Sequence, residues 1–343
     1  MRNPIPRSTR GRLILLVVLL AVLAALLAWH HPEFNLLRDA FAAVSWFWVA
    51  VAVVINLISV AVRASAWRVV ITHAIPPPFP RWRVVFSAFS VGLLGNATLP
   101  GRVGELARVA VITRHVRRRP GTWATIVGTV FTHRMFDVIA SIGLVVYVLY
   151  TARIPDWVKP ALAIVLGVGF GLLLAGIALA RRRHQPLDSE LGAVRRLLRM
   201  ARYGLAVLGR PGPAILALWF QLLGWTAQIF AVWAAFRAFQ IELGFPAAAL
   251  VLMLMNVVTV FPFWPGNVGL LQAAIAFALL SYGVAYPHGF AYGIGLQAIE
   301  ASVGVGLGTL FLAREGFSFA MLKRMPEVTE VDVDEDERVE RIA

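Results

Sequence analysis

The chain contains no cysteine, which excludes disulfides, thiolate metal sites and cysteine nucleophiles. Charged residues are also scarce: they make up 15% of the 343 residues, against about 25% in soluble domains. No Walker motif, glycine-rich dinucleotide loop or serine–histidine–aspartate set is present in the sequence, so the enzyme classes that these motifs mark have no support. We therefore expect a protein that is not an enzyme and that uses no cofactor or metal.

Hydrophobic residues are abundant instead, at 59% of the chain, and the mean hydropathy is +0.75. This composition predicts an all-α polytopic membrane protein with about six full spans plus two re-entrant helical hairpins, or with eight spans. The formal net charge is +14. In a membrane protein such an excess is typical of arginine-rich cytoplasmic loops, so we expect no nucleic-acid partner.

The distribution of basic residues predicts the topology and the domain boundaries. Arginine-rich termini and loops indicate a multi-pass protein of the plasma membrane whose two termini are cytoplasmic. Arg63 and Arg68 close the predicted second span, Phe41–Val62. The predicted segments are a basic N-terminus at 1–12, a membrane domain at 13–313 with its first span at Leu13–Trp29, a basic amphipathic connector at 184–212 that contacts an anionic leaflet, and an acidic disordered tail at 314–343.

One apolar segment is interrupted by Pro100-Gly101 and by three charged residues, Arg102, Glu105 and Arg108. Broken backbone at membrane depth is tolerated only where it is buried in protein or lines a wet cavity. Leu94–Ala110 is therefore predicted to form a re-entrant turn with a polar site. Pro-Gly recurs at Pro265 within Trp264–Leu271, and residues 100–106 and 265–271 are identical at five of seven positions.

The two interrupted segments predict an inverted repeat, with one half at about 13–150 and the other at about 159–313. The Pro-Gly copies are separated by 165 residues. A similar offset places Glu300 at the position equivalent to Arg134. Transporters with inverted repeats bind their substrates near mid-membrane, where the broken helices of the two halves meet.

The spacing of the charges predicts how they pair. Glu105 and Arg108 are three residues apart, as are Arg134 and Asp137, so each pair shares a helix face. Arginine forks suit phosphate, which predicts a phosphate-bearing headgroup; the alternative is a self-neutralising network that only locks the hairpin in place. The predicted substrate-binding residues are Asn96, Arg102, Glu105, Arg108, Arg134, Asp137, Asn267, Gln272 and Glu300.

These residues resemble a known family. Asn96, the run 99–105, Arg108, the Arg134–Asp137 pair and the late Pro265-Gly266-x-x-Gly269 motif are similar to the membrane region of lysylphosphatidylglycerol synthases, a flippase-like family. The resemblance implies movement of a lipid headgroup between leaflets. The chain departs from the family pattern at Gln272, where glutamate is usual, and at Glu300, where arginine is usual. The soluble aminoacyl-transfer domain is absent, so lipid aminoacylation is not expected.

The sequence thus predicts a flippase or transporter-like protein for an anionic or phosphate-linked lipid. The expected partners are a phospholipid or polyprenyl-phosphate-linked lipid and a lipid-modifying enzyme. Two other functions stay open at this point. One is a membrane scaffold or accessory subunit of lipid or cell-envelope biosynthesis; the other is a membrane-embedded transferase acting on a lipid-linked substrate.

Overall fold

A computed structural model describes most of the membrane domain as helices. The described residues are 31–99, 103–117, 122–156, 158–181, 210–260 and 267–316. The predicted span Leu13–Trp29, both Pro-Gly pairs, Arg102, most of the connector 184–212 and most of the acidic tail 314–343 lie outside them. The helices are α1 (His31–Ala42), α2 (Trp46–Ala74), α3 (Trp82–Thr98), α4 (Gly104–His115), α5 (Thr122–Thr151), α6 (Lys159–Arg181), α7 (Pro211–Ala238), α8 (Phe245–Val260), α9 (Leu270–Leu280) and α10 (Tyr286–Arg314).

Within the described ranges, four helices are long and apolar enough to cross a membrane: α2, α5, α7 and α10. The predicted all-α polytopic membrane fold is confirmed. The two interrupted segments instead form pairs of shorter helices, α3 with α4 and α8 with α9. Helix α4 has 12 residues, which at an α-helical rise is about 18 Å. A hydrocarbon core is about 30 Å thick, so neither α4 nor the 11-residue α9 crosses it alone.

The predicted end of the second span at Arg63 is wrong. Helix α2 continues through Arg63 to Ala74 and is 29 residues long. The charge is accommodated inside the helix bundle because Arg63 NH2 lies 3.1 Å from Asp137 Oδ1. A paired buried charge costs far less than an isolated one.

The helices repeat along the chain with the offset of the Pro-Gly motif. Helix α2 begins at Trp46 and α7 at Pro211, and the same spacing, within two residues, relates the starts of α3 and α8, of α4 and α9, and of α5 and α10. In each half, a long helix is followed by a pair of short helices and then by another long helix. The predicted repeat is therefore visible in the order and length of the helices.

Contacts between α2 and α7 show that the two halves are inverted. The Ser45 N–H donates to Ala238 O at 2.8 Å near the start of α2, Trp48 packs edge-on against Trp233, and Ser59 Oγ donates to Gly224 O at 2.8 Å further along. Partners on α7 thus descend as residue numbers on α2 rise, so these helices are antiparallel. Ser59 and Gly224 are equivalent positions, 165 residues apart, which places the pseudo-two-fold axis close to them.

Each hairpin packs against the last helix of the other half, α3 on α10 and α8 on α5. At the first of these contacts a Cβ atom added to Gly308 would lie 2.7 Å from Ser90 O, so the helices approach as closely as small residues allow. Inside the first hairpin, Gly92 and Gly95 bring α3 against the start of α4 at Gly104. These contacts hold the start of α4 beside α3 and α5, where the charged residues lie.

Candidate functional site: a charge cluster between the two halves

Five charged side chains meet where α2, α4 and α5 come together, and we refer to Arg63, Glu105, Arg108, Arg134 and Asp137 as the central cluster. Asp137 is its most heavily bonded member. Its carboxylate accepts hydrogen bonds from Arg63 NH2 at 3.1 Å and from Arg134 NH1 at 3.0 Å. The two oxygens of one carboxylate therefore hold guanidinium groups from two helices.

Helix α7 of the second half supplies the remaining donors to Asp137. Trp225 Nε1 donates to Oδ1 at 3.2 Å, and Gln221 Nε2 donates to the same oxygen. His133 lies one turn before Asp137, and its Nε2 is 3.2 Å from the carbonyl oxygen of Arg63. Asp137 thus connects α5 to both α2 and α7. These hydrogen bonds satisfy its carboxylate oxygens, as is usual for a buried polar group.

Glu105 is the second carboxylate of the cluster. Its Oε1 pairs with Arg134 NH2, and its Oε2 lies 2.5 Å from Arg108 NH2. The predicted Glu105–Arg108 and Arg134–Asp137 contacts are therefore both present. Arg134 additionally bridges the two carboxylates, so it ties hairpin helix α4 to α5. Asn96 at the end of α3 approaches Glu105 Oε1 with its Nδ2 at 3.5 Å.

Arg108 is the most deeply buried arginine of the cluster, with 4% of its surface exposed. Its guanidinium carbon lies 4.8 Å from the ring centroid of Trp67 and 5.7 Å from that of Phe89. Trp67 Nε1 in turn donates to Thr129 Oγ1 at 3.1 Å. Desolvated cation–π contacts of this kind contribute about 2 kcal/mol, and they add to the ion pair with Glu105.

The central cluster carries three guanidinium groups against two carboxylates, an excess of one formal positive charge. The acid that offsets this excess belongs to the second half. Glu300 Oε1 accepts a hydrogen bond from Gln228 Nε2 at 3.0 Å, and Gln228 Oε1 accepts one from Arg63 NH1 at 3.3 Å. One amide on α7 thus links the acid of α10 to the arginine of α2, and so connects the two halves of the repeat.

The cluster has a buried end and an open edge. The side chains of Arg108 and Asp137 are only 5% and 10% exposed, whereas that of Arg134 is 38% exposed and Asn96 is an exposed residue. We define Asn96, Glu105 and Arg134 as the open edge. Helix α4 begins beside it at Gly104, and the N-terminus of a helix presents backbone N–H groups to an anion.

Two of the predicted site residues lie in other surroundings. Asn267 Nδ2 donates to Val258 O at 2.7 Å, which joins the turn before α9 to the end of α8. Gln272 Oε1 accepts from the Gly269 N–H at 2.6 Å, and its Nε2 donates to Gln297 Oε1. These amides hydrogen-bond the second hairpin to itself and to α10. Arg102, the position equivalent to Asn267, lies outside the described residues.

Sequence reasoning missed Arg63, Gln221 and Trp225 as members of the site. Arg63 had been taken for the end of a span, and Gln221 and Trp225 carry no charge that would mark them as members of a charge cluster. The offset of the repeat was the available signal: it pairs Arg63 with Gln228, 165 residues later, and both are polar positions within apolar helices.

Across the part of the chain that the structure describes, no group of three metal-ligating side chains is present.

Comparison with known proteins identifies the family. The model of the lysylphosphatidylglycerol synthase TM region matches residues 13–308, so the chain belongs to that family, and the resemblance drawn from the motifs is confirmed. Neither the curated proteins nor the solved structures gave a match. Membership of the family, together with the membrane-length helices, makes this chain a multi-pass membrane protein related to lipid modification.

Proposed function

We propose that this member of the lysylphosphatidylglycerol synthase TM-region family moves a lipid with a phosphate-bearing headgroup between the leaflets of the plasma membrane. The headgroup binds at the open edge, and both termini of the chain are cytoplasmic. The proposal rests on Arg134, which bridges Glu105 and Asp137 and whose side chain is nevertheless 38% exposed. A guanidinium carries several N–H donors in a planar fork, so an arginine at the edge of a buried charge network can also donate to a phosphate that approaches from outside.

The chemistry of the open edge favours phosphate. A guanidinium is a planar fork whose donors match two phosphate oxygens at once. The start of α4 adds backbone N–H groups and the positive end of a helix dipole, and Arg102 precedes this helix by two residues. Asn96 supplies an amide donor from α3, the other helix of the hairpin. An anionic phospholipid and a polyprenyl-phosphate-linked lipid share the group that these donors recognise.

The placement of the cluster favours transport. It lies beside the antiparallel crossing of two inverted halves, which is where transporters of this plan hold their substrates. Arg63, Gln228 and Glu300 form the polar connection between the halves. A rocking motion of one half against the other would change the distance between Glu300 and the arginines of the central cluster. The electrostatic attraction of a bound phosphate to these arginines would change with it.

Replacing Arg134 by glutamine is expected to slow lipid movement by at least about tenfold, the effect of losing one charge-assisted contact. The fold should survive, because Glu105 still pairs with Arg108 and Asp137 still pairs with Arg63. The measurement is transbilayer movement of fluorescent phosphatidylglycerol, and of a polyprenyl phosphate, in liposomes that contain the purified chain. Fluorescence lost on adding an impermeant quencher reports the lipid in the outer leaflet.

Arg153→Gln is the matched control, since it removes an arginine from an exposed loop and should leave the rate unchanged. Full transport by Arg134→Gln with a lowered melting temperature would assign the central cluster to locking the hairpin only. An unaltered chain that moves none of the lipids tested would contradict the proposal and favour an accessory subunit.

A further inference from the structure

A polar cavity lies far from the central cluster, at the start of α2 and the end of α7. Its volume is about 330 Å³, and it is lined by Trp48, Trp233, Arg237, Gln240, Ile241 and Glu242. Trp48 and Arg63 are separated by about four turns of α2, or about 22 Å along the helix. We refer to this cavity as the Trp–Arg–Glu cavity. It has no part in the contacts of the central cluster.

Packing fixes the walls of this cavity. The ring of Trp48 meets that of Trp233 edge-on, with centroids 5.7 Å apart. The guanidinium carbon of Arg237 lies 5.2 Å from the Trp233 ring centroid, which holds the side chain against the tryptophan at the last turn of α7. Gln240 then turns the chain with a positive φ of 58°, and this turn brings Glu242 to the same cavity.

The charges of the cavity are opposite and do not neutralise each other. Arg237 and Glu242 both line it, yet they are not among the ion pairs formed within 4.0 Å by the described residues. Glu242 is an exposed residue. A cation and an anion that face one cavity without pairing are complementary to a ligand that carries both charges.

We infer that the Trp–Arg–Glu cavity binds the headgroup of a zwitterionic phospholipid with a primary ammonium group, such as phosphatidylethanolamine. Arg237 takes the phosphate, for which a guanidinium fork is suited. Glu242 takes the ammonium, with the Trp48 ring as an aromatic neighbour that favours cations.

The surroundings suit a lipid as the occupant. Tryptophan is enriched at the membrane–water interface, and Trp46 and Phe47, which directly precede Trp48 in the chain, are 77% and 70% exposed. The volume lies at the lower end of the range of small-molecule pockets, about 300–1,000 Å³, which suits a headgroup whose acyl chains stay in the bilayer. The site adds a lipid contact beyond the proposed transport and does not depend on it.

The test is native mass spectrometry of the full chain, purified in detergent and titrated with phosphatidylethanolamine or phosphatidylglycerol of identical acyl chains. Glu242→Gln is expected to weaken phosphatidylethanolamine binding about tenfold and to leave phosphatidylglycerol binding unchanged. Arg237→Gln is expected to weaken phosphatidylethanolamine binding as well, because it removes the guanidinium that takes the phosphate. N-acetylated phosphatidylethanolamine, which lacks the ammonium charge, should bind the unaltered chain as weakly as phosphatidylethanolamine binds Glu242→Gln.

Asp156→Asn and Arg153→Gln remove one acidic and one basic residue from another loop and serve as matched controls that should not alter binding. Unchanged phosphatidylethanolamine binding by Glu242→Gln would overturn the inference and leave at most an anion site at Arg237. Arg134→Gln separates this inference from the transport proposal, because it should keep phosphatidylethanolamine bound at the Trp–Arg–Glu cavity whether or not transport is lost.

Discussion

Asp137→Asn is expected to destabilise the protein by about 3–5 kcal/mol, the usual cost of removing one partner from a buried ion pair. The carboxylate holds Arg63 and Arg134 and accepts from Trp225 as well. An asparagine of the same shape keeps one acceptor oxygen and turns an NH₂ group toward donors. Arg63 would then lose the carboxylate with which it pairs, and Arg134 would lose one of its two carboxylate partners. Thermal unfolding of the purified chain in detergent measures the effect.

Asp156→Asn is the control for this substitution. A hydrogen bond from Lys159 Nζ lowers the pKa of the Asp156 carboxyl, but both side chains are largely solvent-exposed, so its loss should barely move the melting temperature. If Asp137→Asn were as stable as the unaltered chain, Asp137 would not be the acceptor that stabilises the buried arginines of the central cluster.

Gly104→Ala is expected to open the first hairpin, although alanine is the better helix former. A Cβ atom at this position would meet the carbonyl oxygen of Gly92 and would lie 2.7 Å from the backbone nitrogen of Asn96. Backbone atoms cannot turn aside as a side chain does, so α3 and α4 must separate. Overpacking of this kind costs about 1–3 kcal/mol. It would also move Glu105 away from Asn96, so lipid movement should fall with stability.

Gly143→Ala provides the comparison, because a Cβ atom added there has nothing within 4 Å. On helix α5 this substitution should leave stability unchanged or slightly raise it. Thermal unfolding and the liposome assay, applied to both variants, separate the steric effect from the general effect of removing a glycine. Native stability and native transport in Gly104→Ala would contradict the close approach of α3 and α4.

Local spacing predicted a large part of the site. Residues three apart on a helix share a face, so the Glu105–Arg108 and Arg134–Asp137 contacts followed from the sequence. The Pro-Gly interruptions likewise predicted the paired short helices, because a proline inside a helix removes a backbone hydrogen bond and clashes with the preceding turn. These features depend on neighbours in the chain, and a single sequence contains that information.

Contacts between distant helices were beyond such reasoning. Arg63 resembled the basic end of a span because its partner, Asp137, is 74 residues away. Without a known counter-charge, an arginine in an apolar segment is interpreted as lying outside the membrane. Asn267 and Gln272 were predicted to join the site because their motif copies the first hairpin. In the structure they hydrogen-bond to backbone and amide groups of the second half instead.

The open edge of the central cluster is the proposed binding site of a lipid phosphate. Cryo-electron microscopy of the full chain in nanodiscs of phosphatidylglycerol would show this phosphate. We expect it within hydrogen-bonding distance of Arg134, about 2.7–3.2 Å, beside Asn96 and the start of α4. Only water or acyl chains at that edge, with the contacts of Asp137 intact and lipid phosphates confined to the membrane surfaces, would contradict it.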